Sequence, residues 1–369
     1  MTTTTGTVPA PKDGSGLAAR TDRPELAPVA EYTPLPSPRA FRSHYPASGT
    51  AIETVRAGRE TVRRIVRRED PRFLVVVGPC SLHDPEAALE YAERLATLHR
   101  LYADRLYIVM RAYFEKPRTS VGWKGLINDP HLDGSFDMEA GLTAARRLLN
   151  GVADLGLPTG TELLDLASPA YYADLISLAS IGARTTESQP HRVMASGLDM
   201  PVGFKNGTDG GLQVAVNAMV SARQAHCQIA MDDEGRACIQ RTAGNDQTLL
   251  VLRGGSGCIP NYDTESVAAA EVGLINAGFA TPAVLVDASH ANSSYDPIRQ
   301  PEACVSTLEQ RLAGRESLRG VMIESNLVGG KQTLTADLSA LRYGVSITDA
   351  CIGWADTAAL LERMYTALA

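Results

Sequence analysis

Along the 369-residue chain, reactive side chains fall repeatedly at the C-terminal end of a short apolar run. Cys80 follows FLVVVG (73–78). Arg111 ends LYIVMR (106–111), with Lys116 and Arg118 just beyond, and Glu162 falls at the end of PTGTEL (158–163). Arg184 falls in IGART (181–185), Lys205 ends PVGFK (201–205) and Arg253 ends TLLVLR (248–253). His290 follows AVLVDA (283–288), and Glu324 lies in GVMIES (320–325). One charged residue at a strand end is commonly just solvated; the same placement in all eight units is not explained that way.

The residues divide into two chemical sets. Arg111, Lys116, Arg118, Arg184, Lys205 and Arg253 are cationic, and converging in one mouth they would repel each other without anions. Ligands carrying phosphates plus a carboxylate would relieve this, and the planar fork of arginine pairs bidentately with either group. Cys80, His290, Glu324 and Asp349 form the second set, with one sulfur, one nitrogen and two oxygen donors. Such a mixed set suits a borderline divalent metal at an active site rather than a zinc finger. Taken singly, Cys80 reads as a small buried residue and His290 as a core histidine. Cys80 and His83 form a C-x-x-H pair, but no second local pair completes a structural zinc site. The other five cysteines show no partner spacing.

These residues need elements to position them. Stretches of helical period, such as PEAALEYAERLATLHRLY and PEACVSTLEQRLA, separate the apolar runs. Alternating strands and helices imply right-handed crossovers and a parallel sheet. Eight units predict an α/β fold, a (β/α)8 TIM barrel, whose sites form at the C-terminal strand ends. A dinucleotide-binding sheet would need a glycine fingerprint after its first strand, and VVGPCS offers none. The segment at about 226–247, turning at Asp233-Glu234-Gly235, reads as a β-hairpin inserted near strand 6. A helix at about 50–70 places Val55, Val62, Ile65 and Val66 on one face. Its RRIVRR string reads as a solvated face or oligomer contact rather than a nucleic-acid or membrane surface. Residues 1–36 are rich in Thr, Pro, Ala and Gly and read as a flexible extension, with TPLPSPRAF as a tether into a catalytic domain at 37–369.

Composition removes whole classes of function. With 35 Lys+Arg against 42 Asp+Glu, the net charge of −7 argues against a nucleic-acid partner. No apolar run reaches the roughly 18 residues that span a membrane, and the N-terminus carries no secretory pattern. Six scattered cysteines in so long a chain predict reduced thiols and a cytoplasmic protein.

GPCSLHDP (78–85), MRAYFEKPRTSVGWKGLINDPHLDGSF (110–136), IGARTTESQPHR (181–192), PVGFKNGTDG (201–210), LRGG (252–255), SHANSS (289–294) and SITDACIGW (346–354) resemble the motifs of the type I 3-deoxy-D-arabino-heptulosonate 7-phosphate (DAHP) synthases, amino-acid-regulated microbial branch. The resemblance runs in order from about residue 33 to the C-terminus. It implies a barrel enzyme condensing phosphoenolpyruvate (PEP) with D-erythrose 4-phosphate, the first step of the shikimate pathway toward chorismate and aromatic amino acids. It also implies a divalent ion (Mn²⁺, Fe²⁺, Co²⁺ or Zn²⁺) on Cys80, His290, Glu324 and Asp349. PEP contacts are implied at Arg111, Lys116, Arg184, Lys205 and Arg253, with Glu162 lining the pocket, and aldose-phosphate contacts at Lys116, Pro117, Arg118 and Thr119. Lys116, Cys80 and His290 then form the catalytic centre, with Lys116 the proton donor. The related synthase that uses arabinose 5-phosphate carries an Asn in the segment that here reads KPRTS. A homodimer or homotetramer is implied, with the N-terminal helix and the hairpin as contacts.

The departures concern regulation. Asp199, Gln228 and Ala230 stand where members inhibited by phenylalanine or tyrosine typically carry Ser, Phe and Ser. The resemblance therefore carries no phenylalanine inhibition onto this chain, and tryptophan, tyrosine or no effector stay open. Tyr295 follows SHANSS where lysine is common, and Gly329 and Lys331 alter the stretch after the eighth strand. An inactive barrel that binds an effector or a partner is the rival reading, against which the retained donor and cation sets stand.

Overall fold

Strand pleating sends successive side chains to opposite faces, and here both faces are buried. In β1 (Phe73–Gly78) and β2 (Leu106–Arg111), Leu74, Val76, Tyr107 and Val109 pack into one apolar cluster. Their neighbours Phe73, Val75, Val77 and Ile108 pack into another that includes helix residues such as Tyr91, Leu95 and Leu149. The first cluster fills a barrel, and the second lies between the barrel and its helices. In the computed structural model, which describes residues 32–118 and 121–369, the remaining barrel strands are β3 (Thr159–Glu162), β4 (Leu178–Ile181), β5 (Val202–Lys205), β8 (Thr248–Leu252), β9 (Val284–Asp287) and β10 (Leu318–Glu324). They close in the order β1-β10-β9-β8-β5-β4-β3-β2, with every neighbouring pair parallel. The barrel expected from the alternating runs is therefore the fold.

β6 (Cys227–Met231) and β7 (Ala237–Arg241) form a separate antiparallel ribbon inserted before the sixth barrel strand. Its tip is tied to a short helix, α1 (Pro38–His44): the Arg39 N–H donates to the Asp233 carbonyl at 2.9 Å, and Arg42 pairs with Asp233 at 2.8 Å. That helix revises the expected tether, because the end of TPLPSPRAF is helical. Ser37 caps it by accepting from the Ala40 N–H at 3.3 Å, and Pro38 occupies the first turn, where its missing N–H costs nothing. The flexible extension assigned to residues 1–36 lies outside the described residues up to residue 31, while residues 32–36 carry no regular structure.

Helix α2 (Gly49–Val66) does more than cover a surface. Val62, Ile65 and Val66 join the inward-facing cluster with Leu74, Leu178 and Leu249, closing the N-terminal end of the barrel. Arg63 in α2, and Arg67 and Arg68 just past its C-terminal end, pair with Glu60 and Asp199, with Asp246, and with Glu316 respectively. The remaining helices are α3 (Pro85–Leu101), α4 (Met138–Asp154), α5 (Pro169–Tyr172), α6 (Gln189–Ser196), α7 (Gln213–Ala222), α8 (Thr264–Asn276), α9 (Gln300–Leu312) and α10 (Trp354–Ala367). No helix among the described residues is long and apolar enough to cross a membrane.

One strand differs from expectation. The fourth was read at 181–185, but β4 ends at Ile181 and Arg184 falls in the turn beyond it. The segment entering that strand contains Ser177, Ala179 and Ser180, small residues with little strand signature.

Candidate active site

The pleat that buries the barrel interior also builds its mouth. Inward positions read Tyr107, Val109, Arg111 in β2 and Leu249, Val251, then Arg253 just past β8. They continue as Gly203, Lys205 in β5, Leu285, Asp287 in β9 and Met322, Glu324 in β10. The same register that keeps the barrel floor apolar thus turns charged groups toward one C-terminal opening.

Most of the cations there are not free. Arg111, 1% exposed, donates Nη2 to Glu324 Oε1 at 2.9 Å and to the Cys80 carbonyl at 3.2 Å. Its guanidinium lies over the Tyr113 ring, 3.4 Å from the centroid. Lys205 Nζ donates to Asp287 Oδ2 at 2.8 Å, and that carboxylate also meets His290 Nδ1 at 3.1 Å. Burial alone would raise Asp287, but Lys205 and His290 outweigh it and hold the carboxyl well below its usual range. Asp287 and Tyr113 were both missed from sequence. An acid closing an apolar strand, as in VLVD, was the available signal for the first; Tyr113 gave none.

The donor residues come together from distant parts of the chain. Cys80, Glu324 and Asp349 each place one ligand atom within 4.8 Å of the others. The Cys80 thiol lies 3.4 Å from Asp349 Oδ2, and Lys116 Nζ donates to Cys80 Sγ at 3.0 Å while standing 3.6 Å from the same carboxylate. A lysine ammonium thus already occupies a position among the donors where positive charge is favoured. His290 is on the same wall, its Nε2 3.9 Å from Glu324 Oε1, but outside that tight group. Ser289 lies 2.8 Å from His290 Nδ1, which together with Asp287 leaves Nε2 directed to the donor side. His83 instead stands edge-on to Trp123. Burial, with Glu324 nearby, pushes the Cys80 thiol up to about 11. Burial lowers Lys116, yet Cys80, Glu324 and Asp349 outweigh it and raise the ammonium above its ordinary range.

The remaining expected residues are spread more widely. Arg253 is 8% exposed, and Glu162, 6% exposed, has an Oε1 with no hydrogen-bond partner among the described residues. A Cβ at Gly182 would lie 2.0 Å from that oxygen, so any larger residue there would push the Glu162 carboxylate aside. Arg184 and Arg118 are exposed, with Arg118 Nε donating to the Trp123 carbonyl at 2.8 Å, and Pro117 is half-buried. Thr119 lies outside the described residues. A cavity of about 220 Å³, lined by Ser289, His290, Tyr295, Glu324, Lys331 and Asp349 among others, opens beside the donor group.

Beneath the Lys116 loop, Glu115 accepts from Ser168 Oγ at 3.1 Å and from the Tyr172 hydroxyl at 3.4 Å. Burial, with Asp165 nearby, pushes its carboxyl up to about 7 from an ordinary 4.5. The folded state therefore holds this proton more tightly than the unfolded chain. Its stabilising effect is present below the unfolded value and is lost as pH climbs through the folded one, by up to roughly 3 kcal/mol. Glu115→Gln should flatten that fall, which urea midpoints measured at pH 5 and pH 8 would detect.

A parallel barrel whose mouth gathers buried cations and a thiol–carboxylate donor group is the architecture of an enzyme for small, multiply charged anions. The family model described as the DAHP synthetase I family matches residues 50–362, and the chain belongs to that family. It is 50% identical over 337 residues to the Tyr-sensitive phospho-2-dehydro-3-deoxyheptonate aldolase of Escherichia coli (strain K12), covering 91% of this chain and 94% of that one. Identity is 49% to the Phe-sensitive enzyme of the same organism, covering 92% of this chain and 96% of the relative. It is 50% to the Trp-sensitive enzyme of Enterobacter agglomerans, covering 92% and 97%. The solved structure of phospho-2-dehydro-3-deoxyheptonate aldolase from Francisella tularensis SCHU S4 superposes with a TM-score of 0.89 at 42% identity, covering 92% of this chain and 98% of that chain.

Proposed function

We propose that this chain condenses PEP with D-erythrose 4-phosphate and water, giving DAHP and inorganic phosphate. The observation that carries this reading is the meeting, in one barrel mouth, of buried Arg111, Lys205 and Arg253 with the Cys80–Glu324–Asp349 donors. Cys80, His290, Glu324 and Asp349 fit a divalent ion of the Mn²⁺, Fe²⁺, Co²⁺ or Zn²⁺ kind: sulfur, nitrogen and carboxylate oxygen are the donors such ions accept. An ion bound there would supply Lewis-acid polarisation to the aldehyde oxygen or position the water that attacks C2 of PEP.

The protein's own groups do the rest. Arg184, Lys205 and Arg253 hold the PEP phosphate and Arg111 its carboxylate, offsetting repulsion between two phosphorylated substrates. Lys116, Pro117, Arg118 and Thr119 receive the aldose phosphate, and Glu162 lines the pocket. Held so, C3 of PEP faces the aldehyde carbon, a proximity effect. As that bond forms, the Lys116 ammonium, kept charged at neutral pH by its raised affinity for the proton, gives that proton to the developing hydroxyl oxygen. Water then adds at C2 of the PEP moiety, and cleavage of the C2–O bond releases inorganic phosphate and leaves the C2 carbonyl of DAHP. The exposed apolar face of the β6–β7 ribbon, with Ile229 84% and Ile239 70% exposed, supports association with a second copy as a homodimer or homotetramer.

Phosphate release from PEP on adding D-erythrose 4-phosphate tests the reading, using metal-stripped protein with and without Mn²⁺. Metal-restored turnover with erythrose 4-phosphate but not arabinose 5-phosphate is expected. No turnover despite bound metal would favour a barrel that binds an effector or partner. The relatives' names support an aromatic amino-acid effector. Asp199 is engaged by Arg63 at 3.3 Å, and the β6–β7 ribbon carries Gln228 and Ala230 rather than an aromatic wall. Phenylalanine is therefore expected to leave the rate unchanged in the same assay, with tyrosine and tryptophan tested separately.

A further inference from the structure

Among the buried cations of the mouth, Arg253 is the exception. Arg111, Lys116 and Lys205 each face a carboxylate, at 2.9, 3.6 and 2.8 Å respectively. Arg253 is 8% exposed and has no carboxylate partner among the described residues. Its backbone N–H is fixed by Asn206 Oδ1 at 2.8 Å, but its guanidinium has a single hydrogen-bond acceptor among the described residues, the Tyr295 hydroxyl, at 3.3 Å from Nη2. An unneutralised guanidinium at the edge of a buried mouth is set up to receive an anion. A neutral phenol can hold its direction without cancelling its charge.

Tyr295 is delivered to that spot by an unusual backbone. His290, Ser294 and Tyr295 have φ of 59°, 54° and 60°, the left-handed region that L residues rarely enter. The turn is closed by the Tyr295 N–H donating to the His290 carbonyl at 2.7 Å. The Tyr295 ring meets His290 edge-on, with centroids 6.5 Å apart. The phenol therefore touches Arg253 of the cationic set and packs on His290 of the donor set, while 55% of the residue faces solvent. So exposed a tyrosine gains little from burial, and the left-handed turn is not explained by core packing.

We propose that Tyr295 is a positioning residue that aims the Arg253 guanidinium at the phosphate of PEP; this rests on the assignment of Arg253 to that phosphate. The hydroxyl keeps the planar fork facing the mouth, so that the incoming phosphate meets an oriented pair of N–H donors rather than a rotating chain. The phenol itself touches no reacting atom. Its loss should weaken PEP binding and spare both the chemical step and the aldose.

Tyr295→Phe removes the hydroxyl and keeps the ring against His290. With Mn²⁺-loaded full-length protein, KM for PEP should rise about fivefold, the scale of one ordinary hydrogen bond. The kcat and the KM for erythrose 4-phosphate should stay within about twofold. Calorimetric titration of PEP into both proteins without aldose should give a parallel loss of affinity. An unchanged KM and unchanged PEP affinity would overturn the proposal. So would equal rises in KM for both substrates, which a merely structural role would produce. If the parent protein binds PEP but turns nothing over, the assigned reaction fails while the calorimetric comparison still decides the role of Tyr295.

Discussion

Lys116→Met is expected to reduce turnover about 1,000-fold, within the range contributed by a positioned general acid. Lys116 is 10% exposed along its side chain, lies 3.0 Å from Cys80 Sγ and 3.6 Å from Asp349, and is held in its charged form by those neighbours. Methionine keeps the length and apolar stem but carries neither charge nor proton. The Cys80, Glu324 and Asp349 donors remain, so metal affinity measured by chelator competition should persist. Lys116→Arg separates charge from geometry: it restores the cation, but a broad planar guanidinium cannot place one N–H where the compact ammonium sits between Cys80 and Asp349. Phosphate-release assays should therefore find both variants slow, with kcat falling far more than KM rises. Near-normal turnover in either would remove Lys116 from the role.

Cys80→Ser has the other large effect. The thiol is fully buried and sits within 4.8 Å of the Glu324 and Asp349 ligand oxygens. Serine nearly preserves volume, so the barrel should fold, with a melting temperature close to that of the parent. What disappears is the soft sulfur donor, because a serine hydroxyl does not ionise as a thiol does. Removing partners one shell out typically costs 10–100-fold in metal affinity, so loss of a direct ligand should cost at least about 100-fold. Chelator competition reads that loss directly. Excess Mn²⁺ should recover part of the activity, a rescue that Lys116→Met would not show. Parent-like metal affinity in Cys80→Ser would mean the sulfur is not a ligand.

Much of this architecture was legible in the chain. Runs such as FLVVVG and TLLVLR are short, β-branched and followed by helical period, and local order of that kind survives without knowledge of partners. β4 was misplaced because small residues such as Ala179 and Ser180 become strand through pairing with β3 and β5 rather than through propensity. α1 was hidden by its prolines: SPRAF reads as a tether unless Ser37 caps the helix and Pro38 sits where no N–H is needed. The cluster of α2 residues closing the barrel floor was visible as an apolar face, though nothing local said what it would cover.

The candidate site divides along the same line. Which residue types gather at the strand ends, and hence an anion-binding mouth beside a metal-donor set, followed from the order of side chains, since a strand's period of two is a local property. Their pairing did not. The six cations looked mutually repulsive in the sequence, yet Arg111 meets Glu324 and Lys205 meets Asp287, partners 213 and 82 residues away. Arg118 and Arg184, by contrast, stay exposed. That Arg253 alone among the buried four faces a phenol instead of an acid depends on a left-handed turn at 294–295 that no spacing announces. Charge type is written residue by residue. Whether a charge is neutralised depends on which distant segment barrel closure brings within a few ångströms, because Coulomb energy follows separation in space rather than along the chain.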